Sequence, residues 1–116
     1  MGYSEISSET NMDTLDKNER LNQLFQLYGC LLTEKQRDYF VAYYVNDYSF
    51  AEIAEDYQVS RNAVFDQLKK ASEHLENYEI TLKLLEKKQL RMKLIENYLE
   101  SHDESWILKL REMDDN

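Results

Sequence analysis

Residues 49–75, SFAEIAEDYQVSRNAVFDQLKKASEHL, restrict the possible folds of this chain more than any other stretch. Ser49 with Glu52 three residues on is a capping box, in which the hydroxyl accepts from an orphan amide while the carboxylate reaches back to the cap N–H. A helix therefore starts there, with Phe50, Ile53, Ala54 and Tyr57 on one face. The period lapses over residues 57–60, and Ser60 caps a second helix whose inward positions are Ala63, Val64, Leu68, Ala71 and Leu75. Ala54 and Ala63 are small where the two helices must cross closely. The pattern is a helix-turn-helix. Arg61, Asn62, Phe65, Asp66 and Lys69 are left on the outer face, the position from which such a motif meets a major groove.

Around this motif almost nothing breaks a helix. The chain of 116 residues has no proline and only two glycines, Gly2 and Gly29, so an all-α fold is predicted. Residues 1–14 are polar and aperiodic and are expected to be disordered. Leu21, Leu24, Phe25 and Tyr28 repeat as a first helix, with Gly29 as its terminator. Thr33 and Gln36 form a second capping box, opening a helix through Tyr39, Phe40, Tyr43 and Tyr44 that ends near Asn46 and Asp47. Nine tyrosines imply that some sit at the core boundary or at an interface, where the ring is covered and the hydroxyl satisfied.

Beyond the motif, Val64, Leu68, Ala71, Leu75, Tyr78, Leu82 and Leu85 alternate in steps of four and three, predicting one long helix with a continuous apolar seam. Such a helix outruns a three-helix head. Leu75, Tyr78, Leu82 and Leu85 therefore need cover, either from the chain's own distal helices or from the same helix of a second copy, and a homodimer is expected. Leu90, Leu94, Ile95, Tyr98 and Leu99 mark one distal helix. Asp103 caps another, carrying Trp106, Ile107, Leu110 and Met113. Residues 15–116 read as a single helical domain, with a head over 15–78 and a tail over 79–116.

Charge bears directly on function. The chain carries a formal net charge of -9, whereas affinity for nucleic acid comes from Lys and Arg neutralising phosphates. Residues 33–78 hold five basic and nine acidic groups, so the motif itself is acidic. Residues 79–93 hold five basic and two acidic groups. There Lys83, Lys87 and Arg91 recur at i, i+4 and i+8, with Lys88 and Lys93 alongside, as a basic stripe for RNA or an acidic protein.

Catalysis is not indicated. His74 and His102 have no nucleophile or paired carboxylate at a useful spacing, and neither a calcium loop nor a phosphate-cradling glycine loop is present. Cys30 reads as a packing or inert residue, and no metal or cofactor is expected. No apolar run approaches the ~20 residues of a membrane span and no secretory leader is evident, which suggests a cytoplasmic protein.

Residues 32–76 resemble region 4 of the bacterial sigma-70 class of transcription factors. LTEKQRDYF, DYSFAEIAEDYQVSRNAVFDQLKK and LENYE further resemble the YlxM family of small helix-turn-helix proteins, over residues 12–99. The resemblance implies a sigma-70 region 4-like head followed by long distal helices, a DNA-binding fold, and an accessory or regulatory role beside the signal recognition particle. Joined with the charge pattern, it predicts a non-enzymatic adaptor engaging particle protein or RNA through the basic stripe, with the helix-turn-helix face a weak DNA reader. The alternative is a DNA-binding transcriptional regulator, though not a complete sigma factor. One departure is Gln58, where such motifs usually place glycine. A left-handed residue there costs about 1 kcal/mol, so a slightly remodelled turn is expected.

Overall fold

The computed structural model describes residues 16–115, every element of which is helical. The disorder expected for residues 1–14 lies outside the described residues. Two compact units divide the chain, the first running to Thr81 and the second beginning at Leu82, close to the head–tail boundary read from the sequence.

In the first unit α1 covers residues 16–28 and passes into a 3-10 turn over Gly29–Leu31. Leu21, Leu24 and Tyr28 are buried as the period predicts, and Phe25 stacks on Phe40 with ring centroids 4.3 Å apart. That stacking explains Gly29 differently from the expected left-handed terminator, because Gly29 does not have a positive φ. A Cβ at residue 29 would lie 3.0 Å from the Phe25 ring. The glycine makes room for an aromatic stack. Cys30, expected to pack or be inert, is exposed rather than packed.

Helix α2, Glu34–Phe40, is opened by Thr33, whose hydroxyl accepts from Gln36 N–H at 3.1 Å while the Gln36 side chain accepts from Thr33 N–H at 3.2 Å. It continues as a π turn over Val41–Val45, closed by Asn46 N–H to the Val41 carbonyl at 2.9 Å. Asp47 then turns left-handed at φ 59° and Tyr48 N–H reaches back to the Ala42 carbonyl at 2.9 Å. The sequence reading placed the end of this helix correctly and missed its widened last turn. The motif helices follow, α3 over Phe50–Tyr57 and α4 over Arg61–Leu82.

Helix α1, neither of the two occupants expected, meets the first part of the α4 seam. Arg20 holds Glu76 in a two-pronged ion pair, Nε to Oε2 at 2.9 Å and Nη2 to Oε1 at 2.8 Å. The Tyr28 hydroxyl donates to Glu79 Oε1 at 2.7 Å, and the Tyr78 hydroxyl donates to the Leu31 carbonyl at 3.4 Å. Leu75 is fully buried, so its seam role belongs to the head's own core. Glu79, absent from the predicted seam, is also buried.

The continuous seam over 64–85 does not exist. Helix α4 stops at Leu82, which is 44% exposed, and Lys83 takes φ 55°, ψ 31°, ending one helical register and starting another. Leu85 is buried but belongs to the next helix. In the second unit α5, Leu84–Ser101, packs on α6, Glu104–Asp115. His102 makes the reversal at φ 57°. Asp103 Oδ1 then accepts from Ser105 N–H at 2.9 Å, the predicted cap. No helix among the described residues is long and apolar enough to cross a membrane.

Candidate nucleic-acid interface

Three local devices fix the motif. Ser49 Oγ accepts from Glu52 N–H at 3.1 Å and Glu52 Oε1 accepts from Ser49 N–H at 3.1 Å, completing the capping box that starts α3. Gln58 ends α3 at φ 54°, ψ 49°. Val59 N–H bonds the Ala54 carbonyl at 3.0 Å and Gln58 N–H bonds the Glu55 carbonyl at 3.3 Å, the paired bonds of a Schellman motif. The remodelling expected from the missing glycine does not occur. Glutamine adopts the left-handed conformation itself. Ser60 Oγ then accepts from Ala63 N–H at 3.0 Å and launches α4.

Packing fixes the aim of α4. Ile53, Ala54, Val64, Leu68, Ala71 and Leu75 are buried in the head's core, leaving Arg61, Asn62, Phe65, Asp66 and Lys69 exposed together on the outer face, as predicted. Lys70 is exposed beside them, a further cation outside the predicted set. Phe65 is half-exposed, its ring edge-on to Phe50 at 6.0 Å. Phe50 in turn stacks on Tyr43 at 4.7 Å. Tyr43, Tyr44, Phe50, Phe65 and Leu68 line a groove of about 530 Å³ together with Lys17, Lys69, Ser72 and Glu73. Tyr43 and Tyr44 were expected in the core and are only half-buried. They sit side by side on the π turn, which no sequence pattern announced. Burial raises the Tyr44 phenol above its ordinary value, partly offset by its bond with Ser72.

The electrostatics oppose a polyanion. Glu52, Glu55, Asp56, Asp66 and Glu73 are all exposed on α3 and α4, against Arg61, Lys69 and Lys70. Tyr57 carries the same signature at the end of α3, its phenol raised by packing and by the negative charges of Asp38 and Asp56. That ring meets Tyr39 edge-on at 4.9 Å.

The predicted basic stripe is only partly assembled. Lys83 lies outside α5, at the left-handed junction, although its carbonyl accepts from Lys87 N–H at 3.0 Å. Lys87, Lys88 and Lys93 are exposed and Arg91 is half-buried. Lys88 and Lys93, five residues apart on a helix of 3.6 per turn, point away from each other.

A family model described as "Putative helix-turn-helix protein, YlxM / p13 like" matches residues 15–113. The chain belongs to the YlxM / p13-like helix-turn-helix family. Its relatives include a protein of this family from Oceanobacillus iheyensis, 45% identical over 104 residues, covering 86% of this chain and 99% of the relative. The YofM protein of Lactococcus lactis is 42% identical over 101 residues, covering 85% and 91%. One from Anoxybacillus flavithermus is 51% identical over 81 residues, covering 70% and 74%. The family match spans both motif helices and extends through α5 and into α6, so the second unit is part of what these chains share.

Proposed function

We propose that this chain is a non-catalytic accessory protein of the signal recognition particle pathway that binds particle protein or RNA, with duplex DNA a secondary and weak ligand. The observation behind this reading is the exposed acid on the motif: five carboxylates stand on α3 and α4 against three cations. Each carboxylate near the groove subtracts from the counterion-release term that dominates DNA affinity. The tie to the particle comes from the family resemblance. The exposed Lys83, Lys87 and Lys93 supply the contact with RNA phosphates or an acidic protein face.

The test compares two double variants in binding assays with purified signal recognition particle and with a generic DNA duplex. Lys83→Glu with Lys87→Glu should abolish particle binding, while Arg61→Ala with Lys69→Ala should leave it intact. Tight duplex binding that persists at about 200 mM salt and disappears in the Arg61 and Lys69 variant would instead make the chain a transcriptional regulator.

A further inference from the structure

Unit two is a two-helix hairpin of 35 residues, below the ~40 at which a chain ordinarily needs a metal, a disulfide or a partner copy to complete its core. Leu85 and Leu94 are buried in α5, and no described side chain of α6 is. Elsewhere on α5, Met92, Ile95 and Leu99 are 51%, 41% and 62% exposed and follow one another at i, i+3 and i+7, a single apolar stripe. Helical geometry puts this stripe roughly a third of a turn or more from Leu94.

We propose that this stripe is the contact surface for a second copy of the chain, with the two α5 helices running antiparallel about a two-fold axis at Met92. Charge selects both the occupant and the direction. Lys88 sits one turn before Met92 on the same face, and Glu96 one turn after it at the edge. Within one helix the two are eight residues apart, about 12 Å, too far to pair directly. An antiparallel mate centred on Met92 brings Lys88 opposite the partner's Glu96, and by symmetry the pair forms twice. Met92 then meets its own copy with Ile95 beside it, and the contact stops short of Leu85, seven residues before Met92, which its own chain already buries. A parallel mate would set lysine against lysine at the same site. The long Lys88 stem covers apolar surface while its ammonium reaches the rim, so the charge fits an otherwise apolar seam. This seam differs from the one predicted over Leu75, Tyr78, Leu82 and Leu85, of which Leu75 is committed to the head's core.

The test uses the full chain in sedimentation equilibrium and light scattering, with circular dichroism to confirm folding. All substituted side chains are exposed, so the fold should persist. Wild type should be dimeric. Lys88→Glu alone and Glu96→Lys alone should each raise the dimer dissociation constant about tenfold or more, since each converts two attractions into two repulsions. The double variant K88E/E96K should recover wild-type association, and an equimolar mixture of the two single variants should form heterodimer in preference to either homodimer. Met92→Lys, which sets two ammonium groups at the axis, should give monomer. A wild-type chain that stays monomeric at about 100 μM would overturn the proposal. So would a dimer that Met92→Lys leaves intact, or single reversals that associate as well as wild type.

Discussion

Gln58→Gly should stabilise the protein, and the size of the gain follows from one backbone position. At φ 54°, ψ 49° the Cβ of an L-residue crowds the next carbonyl, at about 1–2 kcal/mol. Glycine removes that term. Against it stands the extra freedom glycine brings to the unfolded chain, about 0.4–1 kcal/mol. The Gln58 side chain is exposed, so no buried contact is lost, and both Schellman bonds come from backbone atoms that glycine retains. The net gain is about 0.5–1 kcal/mol, or roughly 2–8 °C in the midpoint of a head of this size. Gln58→Val supplies the contrast, because branching at Cβ aggravates the same clash and should lower stability. The assay is urea unfolding followed by far-UV circular dichroism, with the midpoint rising for glycine and falling for valine at unchanged slope. If glycine were neutral or destabilising with an unchanged slope, the turn would not be strained and the account of it would be wrong.

Three further outcomes are expected. Tyr28→Phe deletes the hydroxyl that donates to buried Glu79 at 2.7 Å and should cost about 1–3 kcal/mol in the same urea assay. Gly29→Ala should cost about 1–2 kcal/mol, because the new methyl needs the space held by the Phe25 ring at 3.0 Å and that ring is stacked on Phe40. Asp103 has its carboxyl held below the usual range by the Ser105 backbone N–H, then by the Ser105 hydroxyl, with Lys109 adding to it. Its support for α6 is therefore complete above the unfolded-chain value near ~3.9 and is lost as pH falls through the lower folded value. Trp106 fluorescence, read from about pH 6 to about pH 2, should show that acid step, and Asp103→Asn should remove it.

The sequence by itself determined where helices begin. Thr33, Ser49, Ser60 and Asp103 cap as read, because a capping bond spans two or three residues and needs nothing from the rest of the fold. It also determined which faces of α1, α3 and the first half of α4 go inward, since period and hydrophobicity agree there, and so it placed Arg61, Asn62, Phe65, Asp66 and Lys69 outside together. Helix ends were legible near Asp47 and at Gln58, and the tertiary structure decided the one at Lys83. Asp47, Gln58, Lys83 and His102 all turn left-handed without being glycine. Asp and His enter that region more readily than most residues and Gln58 stands where such motifs place glycine, but nothing local singles out Lys83, and the chain accepts about 1–2 kcal/mol there because the packing of the flanking helices outweighs it. The break at Lys83 is the costliest omission, since it ends the seam that the heptad spacing of Leu82 and Leu85 suggested and moves Lys83 off the helix of the basic stripe. Long-range partners settled the rest. Glu76 and Glu79 look like surface residues in the sequence, and only the approach of Arg20 and Tyr28 from α1, more than fifty residues earlier, gives those carboxylates their place.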